Sequence, residues 1–480
     1  MQQNKGGVQK LFKQFGLFSI AFVLSSSLLN AGSFENFKRS QTQNFKEYKD
    51  EKDAKFNSLL NEQWKAYKIQ NAAKLYEKPK PKKIPKTSLS NIKKVGPLVN
   101  ITVPKAIKKQ KPIIVVIPKK DVEFSFFGSN LGFNIPDGIK DANFYPSSQK
   151  GISNYFDKIA TSEYESLIND IQKIKKDMNL NDWGIYLLVN EMSKRVYQDE
   201  DNSKLLAWFI FNKLGYAVKA GIANKHVVLL HYSDKKIYST PNYKFGKDRY
   251  YVISNYAKGT IGRMYSYKQN YPGSDKPMDL SMESLPKFVE YTKTKELAFS
   301  HDGEEFKVTI EYNQNLLDFM ATYPQADYET FFNAPMDNIT YEQLAQAIKE
   351  HVNGKKMSEA LNFILHFVQK SFKYQVDDEQ FGHEKVMFAQ ETLYYDKSDC
   401  EDRAVLFSYI VKKIFGIEVV GIKYSDHMTT ALNIPLKGDY VQSGRKRFVL
   451  ADPTYINSNI GESMPKYKPK KPESFIKVEI

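Results

Sequence analysis

Cys400 sits in the run Asp399-Cys400-Glu401-Asp402 and is the single cysteine among 480 residues. His427 follows, and then Asp452 inside Ala451-Asp452-Pro453-Thr454-Tyr455. A thiol, an imidazole and a carboxylate are the parts a cysteine nucleophile needs. The ring nitrogen removes the thiol proton and later returns it to the leaving group, while the carboxylate fixes the ring's tautomer and orientation. One cysteine cannot form an internal disulfide, and the acidic run around it is a poor setting for a small apolar core residue.

These side chains have to be brought together by local structure. Ala404, Val405, Phe407, Ile410, Val411 and Ile414 form an apolar face, and Gly416 suits the residue after a helix end, so a helix is expected from Cys400 to about 414. Asp399 is its candidate N-cap. A cysteine in the first turn gains from the backbone N–H groups and the dipole, which also suit an acyl oxyanion. Glu401 and Asp402 complement the dipole but oppose a thiolate, so activation falls to His427. Strands are expected at 417–424, 427–434 and 448–451, which would place His427 and Asp452 side by side facing the helix start.

Asp399-Cys400-Glu401-Asp402-Arg403-Ala404, His427 and Asp452-Pro453 together resemble the transglutaminase-like superfamily. This is a papain-related α+β fold with a Cys-bearing helix packed on an antiparallel sheet. The resemblance covers about residues 340–465. It is nearest to exported bacterial members, through Glu391-Thr392-Leu393 and Asp452-Pro453-Thr454-Tyr455-Ile456-Asn457. It implies Cys400 as nucleophile, His427 as general base and acid, and Asp452 as orienter. One oxyanion donor would be the Cys400 N–H, with Gln390, Tyr394 or Tyr395 as candidates for a second. The family includes peptidases, amidases, transamidases and members without known activity, so the acyl acceptor stays open.

A second, damaged copy is expected upstream. A shift of 201 residues sets Gln198-Asp199-Glu200-Asp201 against the cysteine run, Leu205 on Leu406, Gly215 on Gly416, Val218 on Val419 and His226 on His427. With a shortened loop, Ser239-Thr240-Pro241-Asn242-Tyr243 matches the Asp452 segment. Asp199 then replaces the nucleophile and Thr240 the orienter, so this copy should be inert.

Residues 1–31 read as a cleaved secretory signal: Lys5, Lys10 and Lys13, an apolar stretch over 15–29, and Leu29-Asn30-Ala31 as cleavage site. Residues 32–77 read as an amphipathic helical arm and 78–120 as a basic Pro-rich linker. Residues 121–330 are the expected degenerate module and 331–480 the catalytic one. The net charge of +15 is concentrated in 32–120, with 22 Lys or Arg against 7 Asp or Glu. That leaves the globular part slightly acidic, which argues against a nucleic-acid enzyme. No phosphate loop or paired-histidine metal motif is present; Gly382-His383-Glu384 has no partner histidine. No cofactor, metal or integral membrane domain is expected.

The expectation is therefore a periplasmic or secreted cysteine peptidase or amidase acting on a peptide or protein, with an envelope or protein partner for the 32–120 arm. The rivals are a transamidase with the same triad and a non-catalytic envelope-binding scaffold.

Overall fold

The computed structural model describes residues 40, 47, 49–91, 93–105, 120–253 and 262–480. The expected signal at 1–31 and residues 106–119 of the expected linker lie outside them. The chain divides at residue 51, and the described residues of the short first unit are helical. Everything below concerns Lys52–Ile480. No helix among the described residues is long and apolar enough to cross a membrane.

The fold is α+β, with two antiparallel sheets built to one plan. In the first, strands Val218–Ala223, His226–Tyr232, Asp248–Tyr251 and Asn242–Phe245 lie side by side in that order, and Met264–Ser266 flanks Val218–Ala223. In the second, Val419–Tyr424, His427–Leu432, Lys446–Ala451 and Tyr440–Ser443 repeat the order, and Ser474–Lys477 takes the flanking place. A helix precedes each sheet and packs on it, Glu200–Lys213 in the first and Cys400–Phe415 in the second. Both histidines open the second strand of a hairpin, where Ala223 pairs with His226 and Tyr424 with His427.

Local chemistry explains the joints. Asn224 and Lys225 take φ of 52° and 68°, the left-handed pair that closes a two-residue hairpin in register with strand twist. Gly416, at φ 66°, ends the cysteine helix in a left-handed C-cap, a conformation that costs a residue without Cβ little. Alternation in the strands splits apolar residues between faces. Val227 and Leu229 meet the helical core, while Val228 and Leu230 join Tyr243, Phe245 and Tyr250 on the other side.

The N-terminal part differs from a long helical arm. The helix stops at Leu60, and Lys65–Tyr67 pairs as an edge strand with Met264–Ser266. The indole of Trp64 donates to Leu60 O at 3.0 Å and Gln149 Nε2 to the same oxygen at 2.6 Å, so side chains satisfy the last turn and end it. Phe56, Leu60 and Trp64 are core residues. The described part of the Lys- and Pro-rich segment is extended but docked. Thr87 N donates to Ile456 O, Val99 N to Lys355 O and Val95 N to Ser358 Oγ. It forms a strap across the second module.

Elements that the sequence placed in the first module also pack on the second. The hairpin Thr292–His301 with Glu304–Asn313 turns at Asp302-Gly303. It sets Phe299 and Phe306 against Phe363 and Phe367 of helix Met357–Lys370. Helix Tyr328–Phe332 packs on the cysteine helix and on Ser474–Lys477.

Candidate functional site

Cys400 is the first residue of its helix. Asp399 N donates to Asp402 Oδ2 at 3.1 Å, and Met387 N to Asp402 Oδ1 at 2.9 Å, so Asp402 ties the helix start to the preceding loop. The helix packs on strand His427–Leu432. There His427 Nε2 meets Asp452 Oδ2 at 3.0 Å, both side chains buried. Asp452 is held hard: Oδ1 accepts from Thr454 N (2.9 Å) and Tyr455 N (3.3 Å), and its carbonyl accepts from Gln369 Nε2 (3.0 Å). This is the use of the Asp-Pro-Thr-Tyr run: a turn whose amides orient the carboxylate that orients the ring. The ring of Tyr467 stacks on the imidazole with centroids 4.6 Å apart.

The sulfur itself is engaged elsewhere. Cys400 is 0% exposed. Its Sγ donates to Glu401 Oε2 at 3.1 Å, and the Tyr76 hydroxyl lies 3.8 Å away. No hydrogen bond joins it to His427. Burial pushes the thiol's pKa well above its ordinary value, and Glu401 and Asp399 push it further, against the pull of Lys80. Iodoacetamide should therefore label the native chain far more slowly than the urea-unfolded chain at pH 8.5, where a free thiol is about half ionised. Equal rates, read by mass spectrometry, would contradict this geometry.

Lys80, from the strap, supplies the missing cation. Its Nζ lies 2.8 Å from Asp377 Oδ2, 2.6 Å from Glu384 Oε2, 2.5 Å from Asp399 Oδ2 and 2.7 Å from Glu401 Oε1. The acidic groups lie close enough to hold a metal ion, and the ammonium sits among Asp377, Glu384 and Glu401, one such set. One positive charge cannot balance every carboxylate. Glu401 keeps a lowered pKa, with Lys80 overcoming its burial. Burial and then Asp402 and Glu401 push Asp377 up to about 8, and burial and then Glu401 push Asp402 up to about 7. A carboxyl protonated when folded but ionised when unfolded stabilises fully below about pH 4, and the contribution is lost as pH rises through about 8. Asp377→Asn lacks that loss. Its stability relative to the parent should rise by roughly 1 kcal/mol per pH unit between pH 5 and 7.5 in urea titrations. A pH-independent difference would refute the assignment.

The expected second oxyanion donors are elsewhere. Gln390 Oε1 accepts from Asp337 N at 2.9 Å. Tyr394 packs on Tyr312 and Tyr395 on Phe381. None of the three contacts the sulfur: helix Ala389–Tyr394 carries Gln390 to the loop at Asp337 and Tyr394 to strand Glu304–Asn313, and Tyr395 follows the helix end. Tyr76, Lys80 and Tyr467 do surround the site; Tyr76 falls in the expected helical arm, Lys80 in the expected Pro-rich linker and Tyr467 in the expected catalytic module, and sequence reasoning gives none of them a role.

The expected upstream copy also differs in detail. Asp199 accepts from Asn202 N at 2.8 Å as a helix cap and does not face His226. His226 Nδ1 instead meets Asp201 Oδ2 at 3.0 Å, with the imidazole 68% exposed. Thr240 Oγ1 donates to Tyr238 O, ahead of strand Asn242–Phe245. By strand order the counterpart of Asp452 falls after Asp248–Tyr251, just past residue 253 and outside the described residues. Matching the Pro-x-Tyr pattern therefore chose the wrong side of a hairpin. A cavity of about 840 Å³ lies beside Trp183, Tyr186, Lys204, His231 and Tyr323, and no triad residue lines it. No protein-family model, curated protein or solved structure matches this chain.

Proposed function

We propose that the protein is a thiol acyl-transfer enzyme, a cysteine peptidase or amidase of the transglutaminase-like type, with a papain-like module repeated in tandem. It would act on peptide or isopeptide bonds in the cell envelope. The observation that supports this most is the buried 3.0 Å His427–Asp452 pair, on a strand packed against the helix that starts at the single cysteine. Asp452 occupies Nε2, which leaves Nδ1 as the nitrogen to take the thiol proton. The thiolate then adds to the acyl carbon, the oxyanion is received by the N–H groups orphaned at the helix start, and His427 returns the proton to the departing amine. Water completes hydrolysis of the thioester; a lysine amine in its place would give cross-linking. The described structure is a latent form in this reading, since Tyr76 covers the sulfur.

A panel of dipeptide and isopeptide amides, followed by amine release, tests the proposal on a chain whose strap has been opened. His427→Ala should lower turnover by about 10²–10⁴-fold, and Cys400→Ser should abolish it. Activity that survives Cys400→Ser sinks the proposal. One observation favours a non-catalytic scaffold instead: the thiol donates to Glu401 and its pKa is raised. That reading predicts slow labelling of Cys400 even after the strap is opened.

A further inference from the structure

We infer that strap residues 75–81 lie where substrate would lie, and that Asp377, Asp399, Glu401 and Glu384 form a subsite for an ammonium-bearing side chain. The substrate class is then a peptide carrying lysine or a similar diamino acid. This rests on the acyl-transfer reading above and adds the specificity.

Three contacts place the strap in the cleft. The Tyr76 hydroxyl stands 3.8 Å from Sγ and donates to Glu401 at 3.0 Å. Lys78 N donates to Ser425 O at 3.1 Å, in the turn that leads into His427, a main-chain contact of the kind an extended peptide makes. The Tyr374 hydroxyl donates to Pro81 O at 2.7 Å. The group facing the sulfur is a phenol, which offers no acyl carbon. The segment therefore blocks the site without being turned over.

The carboxylates are built for a cation. All but Glu384 are almost wholly buried, and Asp377 Oδ1 has no hydrogen-bond partner although it is sealed from solvent. Removing Lys80 leaves a buried acidic nest with nothing to balance it, which is costly unless protons or another ammonium enter. Glu384, whose side chain is 28% exposed, marks the side of the nest nearest solvent and gives such a group a way in.

Full-length Lys80→Met, which keeps the side-chain stem, tests this. Alkylation of Cys400 by iodoacetamide should rise at least tenfold over the parent, because releasing the strap uncovers a sulfur that is 0% exposed, an effect larger than losing the pull of Lys80 on the thiol. Millimolar Nα-acetyl-lysine methylamide should slow it again, while the norleucine analogue, equal in length but uncharged, should not. Should Lys80→Met fail to fold by circular dichroism, Lys80→Gln takes its place, an uncharged side chain that still hydrogen-bonds to the carboxylates, with the same expected order of the two amides. Protection by both analogues alike, or by neither, overturns the subsite. A variant protected by the lysine analogue that turns over no peptide keeps the subsite and removes the catalytic reading.

Discussion

Arg403→Ala is expected to lower the unfolding free energy by about 4 kcal/mol, the summed cost of a cavity and two orphaned carbonyls. The guanidinium is completely buried. Its Nε donates to Ser398 Oγ at 3.1 Å, and its two terminal nitrogens donate to Gln369 O at 3.3 Å and Phe372 O at 2.7 Å. Those carbonyls lie where helix Met357–Lys370 runs out of internal donors. One side chain thus fastens the cysteine helix to its neighbour. No carboxylate pairs with the charge, and burial pushes its pKa down to about 10. Deleting it therefore relieves some desolvation, which is why the expected loss is not larger. Arg403→Lys should cost about half as much, because an ammonium cannot reproduce the planar fork. Urea unfolding followed by circular dichroism reads both, and a loss below about 1 kcal/mol for the alanine variant would show that the link contributes little.

Phe56→Ala is expected to cost about 3–5 kcal/mol, as for a fully enclosed aromatic. Its ring lies 5.1 Å from Phe156, 5.2 Å from Tyr271 and 5.5 Å from Tyr267, centroid to centroid, with edges meeting faces. A side chain on a solvated arm would cost within about 0.5 kcal/mol. The measurement thus decides whether residues 52–60 are part of the folded body or an appendage to it.

The cysteine helix and the strands at His427 and before Asp452 were legible because each signal is local: an apolar face ended by glycine, and short apolar or β-branched runs flanked by polar turns. The repeated sheet was legible from His226 and His427, each opening the second strand of a matching hairpin. Equivalences beyond the next hairpin were not, because loop length must be guessed there and Thr240 fell on the wrong side. The arm misled for a different reason. Phe56, Leu60 and Trp64 keep helical spacing, but the helix ends where Gln149, far away in sequence, takes its last carbonyl. The surroundings of the sulfur were the least legible. Tyr76 ends the expected helical arm and Lys80 begins the expected linker, and nothing local shows that four acids await that lysine.

The strap is fastened on both sides of the stretch that covers the sulfur, at Ala73 by Ser239 N (2.8 Å) and at Thr87 by Ile456 O (3.0 Å). In the acyl-transfer reading proposed above, a segment held at two points returns to its place as an internal competitor, at an effective concentration of about a millimolar. Any visiting molecule's apparent dissociation constant is weakened by the fraction of chains that are open at a given moment. Ligands measured against the intact chain and against one cut between the fastenings should therefore keep the same rank order and differ by one common factor.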